Sequence, residues 1–271
     1  MALSERVQKL NANTAIPRER IRASVPQSLH PDQILDCAEA CVDSPDATVS
    51  INGYSAGRSA MKLMLENLSD IDDAVSAATI VRPIPNQIVA RGNKPQLERV
   101  VAPEFAAQVR GAMATSADHV ARGVEKHLKA IESSIATVEQ QVESKLKNPR
   151  VDSAEAADIR RYANGLPANE RMGWVHSRIA EGDLTVSHAI LNFSSWASGL
   201  EPARAELLRE MARQRFAPTE VKMRDALRSV QTKVMTAAKT FASEYAKRLP
   251  AVPDGKLGAA IKNLQSRGAA S

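Results

Sequence analysis

Two long segments of this chain repeat their large apolar residues at alternating steps of four and three. The first series is Val124, Leu128, Ile131, Ile135, Val138 and Val142, and the second is Met223, Leu227, Val230, Val234, Ala237 and Phe241. This is the a/d spacing of a coiled-coil seam, and the period of two of a β-strand does not produce it. Because a soluble protein rarely exposes such a stripe, each seam should pack against another helix. The partner helix lies in the same chain or in a second copy.

The composition fits a helical protein with narrow helix–helix contacts. Aromatic residues make up 3% of the chain, while apolar residues in total make up 44%. Nothing interrupts the helical pattern from residue 103 to 147, and such a helix would be roughly 68 Å long at about 1.5 Å per residue. A compact globule of this chain length has a diameter near about 50 Å. We therefore predict an all-α, elongated protein with two long heptad-bearing helices and a small helical cluster between them.

Proline, glycine and capping residues divide the chain into six segments. They are an N-terminal arm (1–31), an acidic helical region (32–102), a long coiled-coil-like helix (103–150), a cluster of short helices (151–200), a long basic helical segment (201–249) and a C-terminal tail (250–271). In the cluster, Asp152 and Asp183 are predicted N-caps and Gly182 is a predicted helix stop. The aromatic residues of the cluster should form its core: Tyr162, Trp174, Phe193 and Trp196.

The acidic helical region contains the one strand-like run of the sequence. Residues 47–51 read ATVSI and precede Asn52-Gly53, a frequent turn pair. We expect a short strand, a turn, and then a helix to about Leu68, with Ser69 and Asp72 opening a further helix as a capping box. Pro31 should occupy the first position of a helix that ends near Val42.

The same region contains Gly53-Tyr54-Ser55-Ala56-Gly57, which matches the G-x-S-x-G motif of serine hydrolases. That motif needs a strand before the serine, a helix after it, and a parallel sheet that holds an acid and a histidine. The sequence offers one weak strand, and His119, His127, His176 and His188 all lie in helical patterns. The prediction is that Ser55 caps the following helix and that the protein is not an enzyme.

Metal and cofactor sites are not expected. Cys37 and Cys41 lie near His30, but a structural zinc site needs four ligands and no second cysteine pair exists. Both thiols fall on the apolar face of their predicted helix, where free cysteine acts as a small hydrophobic residue. The chain has no HExxH, Walker or G-x-G-x-x-G motif, so we predict no metal and no cofactor.

Charge is unevenly distributed and leaves nucleic acid as an alternative partner. Residues 32–81 carry a net charge of −7, whereas residues 201–253 carry +5. The candidate phosphate-binding residues of the basic segment are Arg213, Arg215, Lys222, Arg224 and Arg228. Acidic residues alternate with them and Phe216 is the one aromatic residue nearby, which favours a solvated helix face over phosphate binding.

The sequence shows no recognisable signal for a membrane or for secretion. No window approaches 18 uninterrupted apolar residues, and the N-terminal sequence MALSERVQKLNANT has no apolar signal core. Two cysteines in 271 residues argue against a disulfide scaffold. We expect a cytoplasmic protein without a membrane span.

Residues 178–200, which read RIAEGDLTVSHAILNFSSWASGL, resemble a helical segment of uncharacterised proteins from tailed bacteriophages and prophages. The resemblance implies a phage-encoded helical protein, a virion component or a morphogenesis factor, located in the virion. It transfers no catalytic residue.

Together these features predict a structural, non-enzymatic helical protein that self-associates as a homo-oligomer or docks a protein partner through its long helices. A nucleic-acid-associated helical protein is the alternative, and a serine hydrolase at Ser55 is the third reading.

Overall fold

The computed structural model describes residues 26–42, 47–83, 97–101, 103–147, 150–192 and 195–249. Over these residues the predicted all-α fold class is confirmed. The segments predicted as the arm (1–31) and the tail (250–271) lie mostly or wholly outside the described residues.

The described residues contain eight α-helices, which we number in chain order. They are α1 (Ala38–Val42), α2 (Ala47–Ala77), α3 (Pro103–Lys145), α4 (Ser153–Gly165), α5 (Ala168–Glu181), α6 (Leu184–Leu191), α7 (Pro202–Phe216) and α8 (Pro218–Arg248). Short 3₁₀ helices cover Gln27–Leu29, Pro31–Cys37 and Ser195–Ser198. The two predicted heptad-bearing helices are α3 and α8, and α2 is a third long helix.

A two-stranded antiparallel sheet follows α2. Strand β1 (Thr79–Pro83) pairs with β2 (Leu97–Val101), and Thr79 lies opposite Val101. The predicted acidic helical region (32–102) includes these residues, so both strands and their pairing were missed.

The predicted strand at residues 47–51 is wrong, because these residues form the first turns of α2. Four residues of this part of the chain are buried: Ser50, Gly53, Tyr54 and Gly57. Their spacing places them on the same helix face as the apolar residues from Met61 onward. The β-branched residues favoured a strand locally, but burial of this face outweighs their propensity. The predicted turn at Gly53 and the predicted helix start at Ser69 are wrong for the same reason, since both lie inside α2.

Contacts within the chain divide it into two compact units. The first unit comprises residues 1–37, 54–132 and 229–271, and the second comprises residues 38–53 and 133–228. Helices α2, α3 and α8 each contribute a segment to both units.

In the first unit the segments of α2, α3 and α8 pack together around a methionine-rich core. The Asn67 amide of α2 donates to the Ser116 hydroxyl of α3, and the Arg248 guanidinium of α8 donates to Asp72 of α2 at 2.7 Å. The apolar core between them includes Met61, Met64, Leu68, Met113, Val234 and Phe241, each at most 2% exposed.

The second unit contains the helical cluster, and its helix boundaries follow the sequence signals. Asp152 and Asp183 accept hydrogen bonds from the backbone amides of Glu155 and Val186, which confirms both as N-caps. Gly182 ends α5 with φ of 85°, a conformation that favours glycine.

The predicted aromatic core of this cluster is only partly correct. The core is aliphatic and includes Val142, Val175, Ile179, Ile190 and Leu208. Trp174 packs against it from a half-buried position, but Tyr162 is 58% exposed. The side chains of Phe193 and Trp196 lie outside the described residues.

Candidate functional site

Ser55 lies inside a continuous helix and not at a strand-to-helix turn. It is the ninth residue of α2 (Ala47–Ala77) and is half-buried. The predicted N-cap role of Ser55 is therefore wrong, because an N-cap precedes the first turn of its helix. His119 and His127 lie on α3, His176 on α5 and His188 on α6.

The two glycines of the motif allow helices to pack closely. In the second unit, a Cβ built at Gly53 would lie 2.8 Å from Leu227 Cδ2 and 2.9 Å from Ser134 Cβ. In the first unit, a Cβ built at Gly57 would lie 2.3 Å from Val230 Cγ1. All three distances are shorter than real Cβ contacts, so a side chain at either position would force its neighbours to shift, and glycine permits the close approach of α8 to α2. The G-x-S-x-G match is a helix-packing feature at these two positions.

The cysteines take the positions expected of small apolar residues. Cys37 and Cys41 are free thiols, and both are buried. His30 lies beside Asp32, with Nδ1 and Oδ2 3.0 Å apart. Across the ranges that the structure describes, no three His, Cys, Asp or Glu side chains are grouped as metal ligands would be.

The basic segment forms an ion-pair network in the second unit. Arg213 on α7 donates to Glu143 on α3 at 3.0 Å and to Glu206 at 3.0 Å, and it also contacts Glu210 at 3.3 Å. Arg224 on α8, whose side chain is 9% exposed, donates to Glu210 at 3.0 Å. Together these residues connect α3, α7 and α8, and we call them the ion-pair network.

The electrostatics of the ion-pair network favour its charged form. The hydrogen bond from Arg224 holds the pKa of Glu210 below its ordinary value, and the hydrogen bond from Arg209 does the same for Glu206. The hydrogen bond to Glu210 raises the pKa of Arg224. These hydrogen bonds favour the charged forms of Glu206, Glu210 and Arg224, and Arg213 and Arg224 are already paired with carboxylates.

The remaining candidate phosphate-binding residues have different surroundings. Arg228 donates to Glu139 of α3 at 2.6 Å. Arg215 and Lys222 are exposed, and neither has an ion pair among the described residues. The five candidates therefore do not form one open basic surface.

The predicted seam residues are buried within the single chain. Val124, Ile131, Ile135, Val138 and Val142 of α3 are each at most 8% exposed, and Leu128 is half-buried. The α8 residues of the seam are each at most 1% exposed: Leu227, Val230, Val234 and Phe241. Polar pairs flank the contact between α3 and α8. Gln231 donates to Glu132 in the first unit, and Lys145 bonds Glu220 at 2.7 Å in the second.

Sequence reasoning missed an arginine that holds the helical cluster together. Arg171 of α5 donates to the backbone carbonyls of Ala163, Asn164 and Leu166 at the end of α4, at 2.8, 2.9 and 3.0 Å, and to that of Gly199. Helix-terminal carbonyls have no partner within their own helix, so one guanidinium satisfies several of them. No sequence signal distinguishes this arginine from the exposed Arg161 nearby.

Three large apolar side chains remain exposed among the described residues: Leu97, Tyr162 and Leu207, at 61%, 58% and 61%. Tyr162 packs against Trp174 of α5 with ring centroids 5.2 Å apart. Within the described ranges, no helix combines the length and the apolar character needed to cross a membrane.

Comparison of the chain with protein-family models, with curated proteins and with solved structures gave no match.

Proposed function

We propose that this protein is a non-enzymatic helical structural protein that self-associates as a homo-oligomer or docks a protein partner. The observation that supports it most is the position of the G-x-S-x-G segment inside α2, where its glycines accommodate α8. The residues that most suggested chemistry therefore serve helix packing. The three longest helices, of 31, 43 and 31 residues, are typical of a structural scaffold.

The sequence suggested that the heptad seams mediate association, and the structure changes that part of the hypothesis. Ile131 and Val138 are completely buried in the isolated chain, so they have no surface left for a partner. We therefore assign association to other surfaces, and the exposed side chains of Tyr162 and Leu207 on the second unit are candidates.

A role in a virion or in phage morphogenesis extends this proposal, with the cytoplasm and the virion as its locations. It is based on the resemblance of residues 178–200, whose described part comprises the end of α5, α6 and the 3₁₀ helix Ser195–Ser198. A nucleic-acid role is less well supported, because Arg213, Arg224 and Arg228 are paired with carboxylates.

Sedimentation velocity of the purified full chain tests the proposal. If the chain self-associates, its mean mass should increase when its concentration is raised about hundredfold, by mass action. A chain that sediments as a monomer throughout, in buffer of physiological salt, contradicts self-association.

A further inference from the structure

We draw no further inference here: the strongest candidate, the surface patch that the exposed Tyr162 of α4 forms with Trp174 of α5 in the second unit, is an apolar face, and nothing among the described residues shows what covers it.

Discussion

Replacing Gly57 by alanine adds one methyl group at a point of close helix contact in the first unit. The new Cβ would lie 2.3 Å from Val230 Cγ1 and 3.3 Å from Ile34 Cδ1. Valine is stiff about χ1, and both neighbours are fully buried, so α8 must move away from α2 or a side chain must adopt a strained rotamer. We predict that Gly57→Ala lowers the free energy of unfolding.

The size of the effect follows from two opposing contributions. Overpacking a core by a methyl group costs about 1–3 kcal/mol. Alanine in place of glycine inside a helix returns about 0.5–1 kcal/mol. The expected net loss therefore lies between about 0 and 2.5 kcal/mol, with a central value of about 1 kcal/mol, which urea denaturation followed by circular dichroism resolves as a lower midpoint at an unchanged slope.

Gly111→Ala is the matched control, because it makes the same substitution in α3, where the new Cβ would meet no atom outside the local backbone of its own helix within 4 Å. It should raise stability by about 0.5–1 kcal/mol through helix propensity alone. Val230→Ala removes the obstructing methyl groups, so the double variant Gly57→Ala/Val230→Ala should be more stable than the sum of the single effects predicts. Equal midpoint shifts in the same direction for Gly57→Ala and Gly111→Ala would refute the close approach of α8 to Gly57.

Three further predictions concern the candidate site residues. Arg171→Lys should destabilise the protein by about 2–3 kcal/mol in urea denaturation, because an ammonium cannot satisfy the same carbonyls, whereas Arg161→Lys on the surface should be neutral. The pKa of Glu210 in the folded protein lies below its ordinary value of 4.5. The stability that the ionised Glu210 contributes to the fold is therefore complete above pH 4.5 and is lost as the pH falls through the folded pKa. In an acid titration, the free energy of unfolding of Glu210→Gln should fall less than that of the wild type. A fluorophosphonate probe should leave Ser55 unlabelled, as judged by intact mass, and labelling that Ser55→Ala abolishes would restore the hydrolase hypothesis.

The features that the sequence predicted well are those that depend on local spacing and capping. The heptad steps identified α3 and α8, and Asp152, Gly182 and Asp183 marked the boundaries of α4, α5 and α6, because each of these signals acts within one or two turns of its helix. The first turns of α2 were missed, since Thr48, Val49 and Ile51 favour a strand locally and the burial that decides the outcome comes from distant segments.

The polar contacts of the candidate site could not be predicted from the chain. Arg213 and Glu143 are 70 residues apart, and their pairing depends on how α7 packs against α3. Interleaved acids favoured a solvated helix face for the basic segment, whereas the structure places Arg213 and Arg224 in part-buried ion pairs. The hydrogen bond from Lys233 to the Gln33 carbonyl is likewise set by tertiary packing, across 200 residues.

Ile131→Asp tests most directly whether the heptad seams are filled within one chain. Ile131 is 0% exposed in the isolated chain, so an unpaired carboxylate there should cost several kcal/mol. Ala130→Asp adds the same charge at the exposed neighbouring position and should have little effect. We predict that thermal unfolding of Ile131→Asp shows the same decrease in midpoint, relative to wild type, over an about hundredfold range of concentration. A midpoint that is unchanged, or that decreases only where the wild-type chain is oligomeric, would show that the seam is not filled within the chain.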